Sequence, residues 1–261
     1  MATISLPMWV TLILGALGAG WIDAVIGGGG LILIPLLMAT LPGLAPVTVL
    51  ATNKVAAVSG TASAAVTMVR RVRPNPRRLL IYAPLAGICS ALGASVAAMV
   101  NKDTMRPLII LLLLAVGIFV ALKPSFGTTP AAGSNLSTTR LGLAILGVGF
   151  IGFYDGIFGP GTGMFLIMVL TAALTQDFLT SAAMTKVINT ATNIGALSVF
   201  IIGGHVWWSL ALILAIANIA GAQLGARTVL GGGAKLVRWA LLGLVVVMVC
   251  YLSYQQWGGL G

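Results

Sequence analysis

The 261-residue sequence contains no glutamate, and its only acidic residues are Asp23, Asp103, Asp155 and Asp177. It has one histidine, His205, and two cysteines, Cys89 and Cys250. Charged residues make up 7% of the chain, against about 25% in an ordinary soluble domain. So few charges exclude a surface solvated by water. A metal centre needs clustered His, Cys or carboxylate ligands, and the spacing here supplies none. Both cysteines lie in apolar runs and read as buried apolar fillers. No Ser/His/Asp or Cys/His set falls within the apolar segments, and Gly-x-x-x-x-Gly-Lys-Ser/Thr is absent. The expectation is a non-enzyme with no cofactor and no ATPase, driven by gradients.

What is present is apolar: 59% of the residues are hydrophobic, so the expected solvent is lipid. Five lysines and nine arginines give a net charge of +10. Most of them sit in short loops between apolar runs, which points to topology signals and contacts with membrane lipid rather than to nucleic acid. The start, Met1 to Trp9, has no basic run of the kind that opens a cleaved signal peptide, so the first apolar stretch is expected to stay in the membrane.

Ten apolar stretches can be counted, at 8–26, 29–42, 46–69, 79–100 and 105–122, then 140–158, 161–175, 179–203, 207–228 and 236–254. The second of each five is short for the roughly 20 residues a spanning helix needs and follows a glycine run. It reads as a short tilted helix or a re-entrant half-helix.

The two sets align without gaps at an offset of 132 residues. Gly20 and Asp23 match Gly152 and Asp155, Gly27 and Gly29 match Gly159 and Gly161, Lys54 matches Lys186, and Arg106 matches Arg238. These divide the chain into a first membrane repeat (1–122), a linker (123–139) and a second repeat (140–261). The loop after the third stretch holds Arg70, Arg71, Arg73, Arg77 and Arg78, and its counterpart at Gly203–His205 holds no Lys or Arg. Equivalent loops therefore belong on opposite sides. The expected fold is an all-α integral membrane protein of about ten segments, with eight as the alternative count, in two inverted five-segment repeats. Such repeats are typical of secondary transporters.

Two paired constellations are candidates for the site. The first is Asp23 followed by Gly27, Gly28, Gly29 and Gly30, with Asp155 followed by Gly159, Pro160, Gly161, Thr162 and Gly163. Glycine costs about 1 kcal/mol and proline about 3 inside a helix, so one helix should end and another begin at each run, with Pro160 compatible with the new first turn. Broken backbone within a membrane must be buried or line a cavity. Its free N–H groups suit an anion; close helix packing through small residues is the alternative.

The second constellation is Asn53-Lys54 with Thr185-Lys186, joined by Asn189 and Asn193 at helical spacing. A lysine at the centre of a membrane helix costs about 2.5–3.5 kcal/mol. Three readings stand: contact with an anionic substrate, ion pairs Lys54–Asp23 and Lys186–Asp155, or snorkelling to the headgroups. For Asp23 and Asp155 the readings are proton coupling, helix capping or neutralising a lysine. His205, beside Trp207 and Trp208, reads as an interfacial loop residue, and Arg106 and Arg238 as interfacial anchors.

At these residues the sequence resembles the TauE/SafE family of sulfite and organosulfonate permeases. The likeness is carried by Gly20–Asp23 with Gly27–Gly30, by Thr52–Lys54, and by the run Asp155–Gly163. It continues at Thr185, Lys186, Asn189 and Asn193 and at Gly221–Arg227, so it spans nearly the whole chain. The resemblance implies movement of a small sulfur-containing anion, such as sulfite, thiosulfate or an organosulfonate, across a bacterial plasma (inner) membrane. The expected mechanism is alternating access with proton coupling. An anion channel of the same fold and a non-catalytic membrane subunit are the alternatives, and homo-oligomerisation stays open.

Overall fold

A computed structural model describes residues 4–122 and 137–231, and all their regular secondary structure is helical. The expected tenth segment at 236–254 lies outside the described residues, with Arg238, Cys250 and most of the linker. In order the helices are α1 (Leu6–Ile26), α2 (Gly30–Thr40), α3 (Pro46–Val72), α4 (Pro76–Met99), α5 (Lys102–Leu122), α6 (Thr138–Ile157), α7 (Thr162–Leu174), α8 (Phe178–Ile202) and α9 (Trp208–Leu230).

Local sequence sets these boundaries. Pro46 and Pro76 sit at the start of α3 and α4, where a missing N–H removes no helical bond. Asn75, Ser137 and Asp177 cap α4, α6 and α8, each accepting a backbone N–H from the first turn. Five helices, α1, α4, α6, α8 and α9, are long and apolar enough to cross a membrane. Helix α3 is also long, at 27 residues, but carries Lys54, Arg70 and Arg71. At 1.5 Å per residue, α2 and α7 reach only about 16 and 20 Å, short of the roughly 30 Å hydrocarbon core.

Packing crosses the midpoint of the sequence. Helix α9 packs on α1 and α3, and α4 packs on α6 and α8. Offset by one repeat, each of these pairs becomes the other. Helices α3 and α8 meet at the centre. Small residues allow the close approach: a Cβ on Gly221 would lie 1.9 Å from the Leu17 carbonyl oxygen, and one on Gly156 would lie 1.9 Å from that of Ser90. The registers run in the same sense, Leu17 against Gly221 and Trp21 against Gly225, Ala86 against Gly152 and Ser90 against Gly156. So α1 is parallel to α9, and α4 to α6. Polar ties reinforce the seams: Asn218 donates to the Ala16 carbonyl, and Gln223 to that of Ser63.

Helices α1 and α2 form a hairpin. Met8 near the start of α1, Thr40–Leu44 at the end of α2 and Gly204–Trp207 line one cavity of about 730 Å³. At the far end of α8, Arg78 donates to Gln176. That second end carries Arg70, Arg71, Arg73, Arg77 and Arg78, and the helix senses place Arg140 and Arg227 there as well. Arg106 lies at the first end and donates to the Pro42 carbonyl. Cys89 is half-buried on α4, so it is not the fully buried filler expected from its apolar surroundings.

Candidate functional site

The glycine runs break the helices as their composition requires. Helix α1 stops at Gly27, whose φ of 82° is left-handed and whose N–H donates to the Asp23 carbonyl. Helix α2 starts three residues later. In the second half, Gly159 and Gly161 have φ of 97° and 82°, and α7 begins at Thr162. Pro160 therefore lies in the turn before the helix rather than in its first turn. The Tyr154 hydroxyl donates to the Pro160 carbonyl at 2.7 Å, and the Thr162 hydroxyl to that of Gly159 at 2.7 Å, which ties the turn down.

The two breaks touch. A Cβ on Gly27 would lie 2.3 Å from the Gly163 Cα, and one on Gly30 would lie 3.4 Å from the Pro160 Cα. Gly28 packs near Ile22 and Leu31, and Gly161 faces Val116 of α5.

The lysines and aspartates meet at these breaks, with partners exchanged relative to the within-repeat pairs that the sequence suggested. Lys54 binds Asp155, Nζ to Oδ2 2.6 Å, with side chains 3% and 2% exposed. Lys186 binds Asp23. Its Nζ donates to the main-chain carbonyl of Asp23 and lies 3.5 Å from Oδ2. The reason is geometric. Each aspartate lies one turn before its own helix break, and the hairpin folds that break against the other half's central helix. The Gly29 N–H donates to Asp23 Oδ1 at 3.3 Å, and Ser90 lies 3.5 Å from Asp155 Oδ2. Snorkelling does not describe either lysine, since both ammonium groups end on carboxylate or carbonyl oxygen inside the bundle.

Beside Lys186, α8 buries Thr185, Asn189, Thr192 and Asn193. Asn193 donates to Asn189 Oδ1 at 3.4 Å. Asn53 is buried on α3. The hydroxyls of Thr52 and Thr185 are buried without a partner, and such a group costs about 1–3 kcal/mol. The sequence reading missed Ser90, Tyr154 and Asn218. Each is matched at the 132-residue offset by an apolar residue, Ala222, Ile22 and Ala86 respectively, so the repeat gave them no signal. No cluster of metal-ligating side chains occurs among the described residues. His205 is half-buried against the Phe200 ring at 6.5 Å.

These features define an integral membrane protein with a polar, charge-paired centre between two helix breaks. Comparison with known proteins gives the family. The model of the family described as sulfite exporter TauE/SafE matches residues 12–252, and the chain belongs to that family. A protein of Escherichia coli strain K12 named probable membrane transporter protein YfcA is 34% identical over 261 residues, covering 97% of this chain and 94% of its own. The probable membrane transporter protein ORF9 of a Sinorhizobium species is 33% identical over 91% of this chain and 89% of its own. A probable membrane transporter protein of Haemophilus influenzae is 32% identical over 91% of each. No solved structure matches. The chain is thus a multi-pass transporter of the bacterial inner membrane and not an enzyme.

Proposed function

We propose that the protein is a secondary transporter that moves a small sulfur-containing anion, sulfite, thiosulfate or an organosulfonate, by proton-coupled alternating access. The observation that carries this reading is the pair of buried lysines, each held by an aspartate of the other half, where the two glycine breaks touch. Two charges held this deep cost several kcal/mol of desolvation and stabilise the fold little. They do suit an anion that takes over part of the aspartates' role. Lys54 and Lys186 supply positive charge; Asn53, Thr185, Asn189 and Asn193 supply polar contacts. Gly28, Gly29, Gly30, Gly161, Thr162 and Gly163 bring backbone N–H groups close.

The halves 1–122 and 140–261, joined by the linker 123–139, act as inverted repeats. Support comes from packing that maps onto itself when the halves are exchanged. The arginine-rich end faces the cytoplasm and anionic lipid, with no nucleic acid involved. Rocking of the halves about the central contact opens each side in turn.

The test is uptake into proteoliposomes of sulfite, thiosulfate, sulfoacetate and isethionate, with Lys54→Ala and Lys186→Ala alongside. Saturable uptake of at least one anion, lost in both variants, is expected. Equal movement of every anion in wild type and both variants, or channel-like conductance in planar bilayers, would overturn the reading.

A further inference from the structure

The two ion pairs are related by the repeat but are not alike. Asp155 is gripped through its carboxylate: Lys54 Nζ lies 2.6 Å from Oδ2 and Ser90 Oγ 3.5 Å from the same atom, and its side chain is 2% exposed. Asp23 holds Lys186 mainly through its main-chain carbonyl. Its carboxylate accepts from the ammonium at 3.5 Å and from the Gly29 N–H at 3.3 Å, and belongs to a side chain 14% exposed. A proton on Asp155 would remove the carboxylate that Lys54 relies on. A proton on Asp23 leaves Lys186 its carbonyl acceptor. It also turns a carboxylate that repels an anion into an O–H that can donate to one.

Among the described residues, the centre is also electrically balanced. Lys54 and Lys186 face Asp23 and Asp155. Among the elements packed against α1, helices α2 and α7 carry no ionisable residue. Helix α3 presents Lys54 and α8 presents Lys186 within the bundle, while Arg70 and Arg71 end α3 and the Arg227 of α9 is exposed. An incoming monoanion would leave one uncompensated negative charge in a medium of low dielectric. One proton restores balance. A dianion would need two, and the second carboxylate, Asp155, is held by Lys54 and Ser90.

We propose that Asp23 is the coupling residue. It takes one proton from water as the anion binds Lys186, releases it as the anion leaves, and restricts the site to monoanionic sulfur oxyacids, such as hydrogensulfite or a monosulfonate, over dianions. Lys54 keeps Asp155 throughout and offers the anion its remaining N–H groups. This rests on the transporter reading above.

The experiment is binding of isethionate, a monoanion, and sulfoacetate, a dianion, to purified protein by calorimetry between about pH 6 and 8, with the proteoliposome assay run in parallel. One proton taken up per anion weakens isethionate binding about tenfold for each unit of rising pH. That slope is expected in wild type, is absent in Asp23→Asn, and returns in Asp23→Glu. Sulfoacetate is expected to bind at least about tenfold more weakly than isethionate, roughly the cost of one unbalanced charge after partial screening. Wild-type binding that ignores pH, a slope retained in Asp23→Asn, or sulfoacetate bound as tightly as isethionate overturns the assignment. If proteoliposome uptake persists in those cases, the transporter reading stands and only the Asp23 assignment falls. If none of the four anions binds or moves, both fall. Wild type decides the proton count and the charge preference even where a variant does not fold.

Discussion

Gly27→Ala tests whether the two helix breaks are built to touch. The added methyl would lie 2.3 Å from the Gly163 Cα, 2.4 Å from its carbonyl carbon and 2.5 Å from the Met164 nitrogen. All three are backbone atoms, so no side chain can swing aside. Gly27 also has φ of 82°, and an L-residue in that region loses about 1–2 kcal/mol. Overpacking adds about 1–3 kcal/mol, so the expected loss is about 2–5 kcal/mol. Gly18→Ala is the matched control. It lies in α1 with nothing within 4 Å of the new methyl, and alanine there gains about 0.5–1 kcal/mol of helix stability. Thermal unfolding of both variants in one detergent, followed by loss of the monodisperse elution peak, should give a marked fall for Gly27→Ala and a small rise for Gly18→Ala. A Gly27→Ala protein as stable as wild type would refute the contact.

Lys54→Met leaves the Asp155 carboxylate buried and unpaired, and breaking such a pair costs about 3–5 kcal/mol; the double variant Lys54→Met, Asp155→Leu should recover most of that by the same thermal assay while transporting nothing. Thr185→Val removes a buried hydroxyl with no partner and should raise stability by about 1 kcal/mol while lowering anion affinity in the calorimetric titration. Asp177 is partly desolvated, which raises its pKa, but hydrogen bonds from the Thr180 hydroxyl and backbone N–H outweigh this and hold the carboxyl below its ordinary value. Its contribution is therefore complete above the ordinary carboxylate range and is lost as pH falls through the lowered value. Asp177→Ala should cost about 1 kcal/mol at neutral pH, and pH-resolved melting should show that difference shrinking in acid.

Much of the site was legible in the residues themselves. Membrane insertion follows from composition, because 7% charge cannot cover a water-facing surface. The breaks at Gly27–Gly30 and Gly159–Gly163 follow from helix propensity, which is local: a run of glycine loses more backbone entropy than the helix returns. The caps that the structure shows at Asn75, Ser137 and Asp177 are equally local, resting on hydrogen bonds two or three residues apart, although the sequence reading did not single them out. The 132-residue offset singled out the two lysines and two aspartates as equivalent pairs.

Which lysine meets which aspartate was not legible. Lys54 and Asp155 are 101 residues apart, and Lys186 and Asp23 are 163 apart. Nothing in a helical period specifies a partner at that separation. The choice was made by packing: α9 lies along α1 and α4 along α6 through glycine seams, so each break is carried to the central helix of the other half. The inequality of the two pairs is likewise tertiary, since the repeats match in sequence at all four charges. It arises from a carboxylate oxygen facing one ammonium and a main-chain carbonyl facing the other. The sequence by itself determined the solvent, the helix breaks and the four charged residues, because these depend on composition and near neighbours. The pairing, the contact of the breaks and the difference between the two aspartates were decided only when distant helices packed.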